Sequence, residues 1–221
     1  MRKTVLESSP ARLLSLVTSR DISEGEVARA LVAGEPWAIS ETWRRFAPMV
    51  LMLSERCLGS RAAAEDVTQE TFFRLFRKAD TLRDPDRLRS FIYSFAVRLL
   101  QSELRRRRVR GWLSFARPEA VESAYAPAPD MVARDLLHRF HALLDRLVPS
   151  ERLVFVLRRV ESMTVLEIAS HMGTSTSTVK RTLSRANQRL TRWLEAEPAL
   201  LQMLEEGHLA KLERSDDGTV A

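Results

Sequence analysis

From Glu26 onward, apolar residues recur at three- and four-residue intervals, first in EVARALVAG and then in ISETWRRFAPMVLMLSERCLG. That spacing lays one side of an α-helix against a core. Gly34-Glu35-Pro36 and Gly59-Ser60 interrupt the period and mark helix ends. A third helix is predicted over about 62–79, with Phe72, Leu75, Phe76, Ala79 and Leu82 as its buried stripe. LRDPDR reads as a turn. The fourth helix runs over about 88–110, with Leu88, Phe91, Ile92, Phe95 and Leu99 facing inward.

The texture then changes. SFARPEAVESAYAPAPD, residues 114–130, holds three prolines and no helical period, and reads as a flexible linker. Periodicity resumes in MVARDLLHRFHALLDRL, breaks at Pro149-Ser150, and continues through ERLVFVLRRVES and the stretch beyond. The expectation is all-α: a leader over 1–24, a helical domain over 25–113, the linker over 114–130, a second helical domain over 131–195 and a tail over 196–221. There is no internal repeat.

Composition narrows the function classes. Seven glycines and two tyrosines among abundant Leu, Ala and Arg favour helix. The net charge of +6 favours an acidic partner, either nucleic acid or an anionic membrane surface. The lone Cys57 excludes an internal disulfide and a thiolate zinc site, and is read as a buried structural thiol. No apolar run is long enough to span a bilayer and no secretory leader is visible, so a cytoplasmic location without membrane insertion is expected.

The second domain carries the sharper motif. In TVLEIASHMGTSTSTVKRTL, Ala169 and Gly173 stand four apart inside a frame of Ile168, Met172 and Val179. A small residue allows close helix packing and a glycine allows the tight turn of a helix-turn-helix. Ser175 suits the N-cap of the second helix, whose Val179, Leu183 and Leu190 point inward. Lys180, Arg181, Ser184 and Arg185 then face outward, and no acid occurs between Glu167 and Glu195. A merely solvated basic face usually interleaves acids at i,i+4, so major-groove binding is the better reading.

In the first domain, Arg98, Gln101, Arg105 and Arg108 share a face of the fourth helix that Glu103 barely offsets, suited to phosphate contact. On the third helix Asp66, Gln69, Glu70, Phe73 and Arg77 line a face of different chemistry. An aromatic among acids and an amide is the composition of a protein-docking surface. The pattern leaves open whether Phe73 is instead covered by another helix.

In this order the pieces resemble the extracytoplasmic-function (ECF) group of bacterial RNA polymerase sigma factors, over about 26–194. AEDVTQETFFRLFR is similar to that family's core-binding helix, AED-x-x-Q-x-x-F-x-x-x-[WF]; RSFIYSFAVRLLQSELRRRR is similar to its −10 helix; ERLVFVLRRVESMTVLEIASHMGTSTSTVKRTLSRANQRL is similar to its −35 domain. The resemblance implies an alternative sigma factor of two domains, region two and region four. Asp66, Gln69, Glu70, Phe73 and Arg77 would meet the polymerase β′ clamp. Arg98, Gln101, Ser102, Arg105 and Arg108 would face the −10 element. Ser175, Thr176, Lys180, Arg181, Ser184 and Arg185 would enter the −35 major groove, with region four also on the β flap. It further implies promoter DNA and an inhibitory anti-sigma protein as partners. The chain departs from the family where Asn and Asp are common, at Arg98 and Ser102, and at Arg181 and Ser184 in the recognition helix.

Catalytic chemistry is thin. His138 and His141 stand three apart without a third metal ligand, Glu65 and Asp66 splay apart on a helix, and no glycine loop cradles phosphate. No enzymatic activity, metal or cofactor is expected. The competing reading is a stand-alone helix-turn-helix regulator that works without polymerase. A membrane-surface protein is disfavoured because LRRRRVRG lacks a flanking apolar face.

Overall fold

The computed structural model describes residues 22–113 and 131–196, with side chains over 22–110 and 138–196. The expected leader (but for residues 22–24), the linker and nearly all of the tail lie outside the described residues. Helices α1 (Glu24–Val32), α2 (Pro36–Leu58), α3 (Arg61–Phe76) and α4 (Leu88–Leu113) build the first domain, and single 3₁₀ turns at Ala79–Thr81 and Pro85–Arg87 join α3 to α4. Helices α5 (Met131–Arg146), α6 (Pro149–Phe155), α7 (Val165–Met172) and α8 (Thr176–Glu195) build the second. The end of α6 widens into a π-turn over Val156–Val160. No strand occurs among the described residues.

Local chemistry sets the helix ends. Ser23 and Glu26 form a capping box at the start of α1, satisfying two backbone donors reciprocally. Pro36 occupies the first turn of α2, where its missing N–H costs nothing. Gly59 closes α2 at φ 65°, in the left-handed region.

Phe46, Leu53, Phe72, Leu75, Leu88, Ile92 and Leu100 are fully buried at the centre of the first domain. Trp43 meets Phe72 edge-on at 4.9 Å. Leu144, Leu153, Leu157 and Ile168 form the corresponding centre of the second. Each such side chain contributes about 1.5–3 kcal/mol by leaving water.

The two cores are contiguous, because α4 packs against α6 and α7 as well as against its own domain. This corrects the expected inward stripe of α4. Leu88 and Ile92 are buried, but Phe91, Phe95 and Leu99 are only half-buried, and Ala96, Val97, Leu100 and Leu104 form the deepest line instead. A helix held on two sides cannot be read from a single stripe.

Candidate nucleic-acid and protein interfaces

The helix-turn-helix is built by its caps. Thr164 and Glu167 form a second capping box at the start of α7. Gly173 ends that helix at φ 62°, and the Thr174 N–H donates to the Ala169 carbonyl at 2.9 Å. Ser175 caps α8 by accepting from the Thr178 N–H at 3.2 Å. Val179, Ala186 and Leu190 are buried, while Leu183, expected inward, is half-buried.

That packing leaves Ser175, Thr176, Lys180, Arg181, Ser184 and Arg185 exposed together on the first three turns of α8. Among the described residues, neither Lys180, Arg181 nor Arg185 has an ion-pair partner. The face therefore offers uncompensated positive charge at a helix N-terminus, where the macrodipole adds to its attraction for phosphate.

On α4, residues 94, 98, 101, 105 and 108 follow the 4-3-4-3 spacing of one helical strip. Arg98, Ser102, Arg105 and Arg108 are exposed and Gln101 is half-buried. Glu103 spends its carboxylate on Arg106, Arg107 and Arg110 at 2.5–3.1 Å, none of them a candidate, and so leaves Arg98 and Arg105 uncompensated.

A cleft of about 270 Å³ opens beside this strip, where Arg74, Arg77 and Lys78 from the end of α3 approach Arg98, with Phe95 and Leu99 as its apolar walls. Sequence reasoning missed Arg74 and Lys78. The half-buried Phe95 and Leu99 supply the walls because they are not in the core stripe. Arg77 belongs to this cleft as well as to the face assigned to it from sequence.

On α3, Asp66, Gln69, Phe73 and Arg77 are exposed and Glu70 half-exposed, so the candidate docking residues do share one face. Phe73 is 56% exposed, and no other helix among the described residues covers it. Arg77 lies over its ring at 5.5 Å, and Glu70 pairs with Arg74 at 2.6 Å. Gln69 also borders a groove of about 310 Å³ between α2 and α3, floored by Trp43, Ala47 and Leu51. Those three residues stand at i, i+4 and i+8, a signal that pointed to core rather than surface. Trp43 is 41% exposed.

The arrangement offers binding surfaces. Among the described residues, no group of three or more His, Cys, Asp or Glu could hold a metal, and no helix is long and apolar enough to cross a membrane. His138 is exposed, whereas the His141 ring packs over Gly59.

A helical domain bearing an acidic-aromatic face and a basic strip is thus followed by a helix-turn-helix whose second helix presents a basic face. Family models agree: "Sigma-70 region 2" matches residues 42–110 and "Sigma-70, region 4" matches residues 137–190. The chain belongs to the sigma-70 family, in its ECF group, whose members are transcription regulators rather than enzymes.

It is 32% identical over 159 residues to the ECF RNA polymerase sigma factor SigE of Mycolicibacterium smegmatis, covering 70% of this chain and 60% of that one. It is 31% identical over 146 residues to the ferric citrate uptake sigma factor FecI of Escherichia coli, covering 59% and 76%. The chain thus spans less than two thirds of the length of SigE.

Among solved structures it is similar to CnrH in complex with the cytosolic domain of CnrY (TM-score 0.55, 24% identity, 78% of this chain and 97% of that one). It is also similar to the sigma factor RpoE in complex with the anti-sigma factor NepR from Bartonella quintana (TM-score 0.54, 20% identity, 71% and 96%). At these identities the likeness is one of fold.

Proposed function

We propose that the protein is an alternative sigma factor that binds core RNA polymerase and directs it to promoters bearing its own −10 and −35 elements. The observation that carries this reading is the separation of chemistries on consecutive helices. An exposed aromatic among acids lies on α3, and uncompensated cations lie on α4 and α8. Asp66, Gln69, Glu70, Phe73 and Arg77 dock on the β′ clamp. Arg98, Gln101, Ser102, Arg105 and Arg108 face the −10 element. Ser175, Thr176, Lys180, Arg181, Ser184 and Arg185 enter the −35 major groove, and the same domain meets the β flap.

Residues 114–130 connect the two readers, and 17 residues extend to roughly 55 Å. Work on polymerase implies a cytoplasmic location. The complex of RpoE with the anti-sigma factor NepR supports an anti-sigma protein as this chain's inhibitor.

The test is gel filtration of the purified chain with bacterial core polymerase at moderate and high salt. Co-elution that survives high salt, where simple charge attraction is screened, supports the reading. Duplex binding without co-elution would instead favour a stand-alone helix-turn-helix regulator.

A further inference from the structure

The cleft of about 270 Å³ between the end of α3 and the middle of α4 collects cations from two helices. Arg74, Arg77 and Lys78 come from the last turn of α3 and the residues just past it, and Arg98 comes from α4. All four are exposed, and no acid lines the cleft. Arg74 Nε donates to Glu70 at 2.6 Å, and Arg77 lies over the Phe73 ring, which takes no charge away. Among the described residues, Lys78 and Arg98 have no ion-pair partner.

Helix chemistry explains part of this cluster. Cations gather at helix C-termini because the macrodipole places about half a negative charge there. That accounts for Arg74 to Lys78 but not for Arg98, which approaches them from the interior of α4. Arg74 and Lys78 also stand at i and i+4, where like charges destabilise a helix end. With Glu70 and the dipole counted against the cations, the cleft keeps a positive excess. An anion is what such an excess holds.

The walls narrow the choice of anion. Phe95 and Leu99, one turn apart on α4, are half-buried and line the same cleft. Phe91 meets the Phe95 ring edge-on at 5.0 Å and steadies it. A bare phosphate gains nothing from apolar walls, whereas a base stacked on an aromatic ring does. A nucleotide inside a strand brings one negative charge to the cleft, but a free nucleoside di- or triphosphate brings about three or four. We infer that the cleft is a binding site for a free nucleoside di- or triphosphate. Its phosphates lie on Arg74, Lys78 and Arg98, and its base against Phe95 and Leu99.

Occupancy has a consequence for the neighbouring surfaces. Arg98 belongs to the −10 strip and Arg77 to the docking face, so a bound nucleotide competes for both. The supply of nucleoside polyphosphate then tunes how readily the chain engages a promoter. This consequence rests on the sigma-factor reading; the binding itself does not.

The experiment is isothermal titration calorimetry of the full chain at low salt, without divalent cations that would neutralise the phosphates. The probes are ADP, AMP, inorganic pyrophosphate and a short single strand of DNA. Wild type is compared with Arg74→Gln, Lys78→Gln and Arg159→Gln, the last removing an exposed cation from the π-turn of the second domain. ADP should bind wild type about tenfold more tightly than AMP or pyrophosphate. Arg74→Gln and Lys78→Gln should each weaken ADP about tenfold with unchanged circular dichroism, and Arg159→Gln should leave it as it was.

No binding of ADP, or full affinity in Arg74→Gln and Lys78→Gln, would overturn the site. AMP binding as tightly as ADP defeats the charge argument, and pyrophosphate doing so removes the base. An equal loss in Arg159→Gln makes the attraction a property of the whole basic chain. A single strand that needs Arg74 and Lys78 while ADP stays unbound makes the strand the occupant, and the proposal falls. A second arm asks whether ADP displaces a labelled −10 strand from wild type but not from Lys78→Gln. ADP that binds yet leaves the strand in place would defeat the assignment of Arg98 to the −10 element, with the nucleotide site intact.

Discussion

Arg189 Nη1 donates to Glu151 Oε2 at 2.9 Å and so ties the recognition helix to the first turn of α6. Glu151 is 3% exposed, whereas the arginine side chain is nearly half in solvent. Although it lies in the basic run of α8, Arg189 is thus a structural member of the second domain. Its charge holds a carboxylate that would otherwise be buried alone.

Removing that partner should be costly out of proportion to its exposure. Arg189→Met is expected to lose about 2–3 kcal/mol, less than the loss for a fully buried pair because water reaches the guanidinium. The double variant Glu151→Leu/Arg189→Met should recover much of it, since neither charge is then stranded. Urea unfolding of the three proteins checks this, and equal losses in the single and double variants would refute it.

Two glycines allow backbone strain to be separated from packing. Gly59 and Gly173 sit at φ 65° and 62°, both left-handed. A Cβ on Gly173 would meet nothing within 4 Å, but one on Gly59 would stand 3.1 Å from His141 Nδ1. Gly173→Ala should therefore cost only the backbone term, about 1 kcal/mol. Gly59→Ala should cost clearly more, because the imidazole must shift as well. Matched thermal melts of the two variants test the difference.

These positions also mark what the chain could reveal in advance. Gly59 and Gly173 end helices by a local rule, and the Ala169–Gly173 frame needed only its own neighbours, so α2, α7 and α8 were legible. The exposed faces of α3 and α8 followed from helical period alone. The packing of α4 against the second domain was not legible, because Ser94 has meaning only against His171, 77 positions away. The π-turn at Val156–Val160 and the left-handed Ser162 were equally silent, since neither carries a glycine or proline signal. The cleft residues Arg74 and Lys78 looked like ordinary solvated cations until α4 was laid beside them.

Acid should loosen the structure through His141. Burial, with Arg152 and then His138 adding repulsion, lowers its pKa from 6.5 to about 4. The folded chain therefore refuses a proton that the unfolded chain accepts below pH 6.5. The penalty is absent above pH 6.5, grows as pH falls, and levels off below about pH 4. With partial solvent access allowed for, the full loss is about 2 kcal/mol. His141→Asn should flatten this part of the profile. Urea midpoints at pH 7, 6 and 5 provide the measurement, and parallel profiles for the two proteins would sink the assignment.

The docking face should separate from stability altogether. Asp66 and Phe73 are both exposed, so Asp66→Ala/Phe73→Ala should change the unfolding free energy by less than about 1 kcal/mol, each substitution contributing little. If α3 meets polymerase as proposed, the same variant should no longer co-elute with core enzyme, yet should retain duplex binding through α8. Unchanged co-elution would remove α3 from the interface.

The recognition helix makes a prediction in salt. Lys180, Arg181 and Arg185 are exposed and unpaired among the described residues, so each is free to displace a counterion from a phosphate. Every such contact contributes about −0.9 to the slope of log affinity against log salt concentration. Alanine at any one of the three should make the slope for duplex DNA shallower by about that amount, measured by fluorescence anisotropy from 50 to 200 mM salt. A residue that grips phosphate weakens all sequences alike. An arginine that forks onto a guanine edge instead relaxes preference at one base pair, at about 1–3 kcal/mol. The Arg181 variant separates the two: a uniform loss makes it a phosphate clamp, and a loss confined to one base position makes it a reader. No change in slope for any of the three would remove α8 from the DNA.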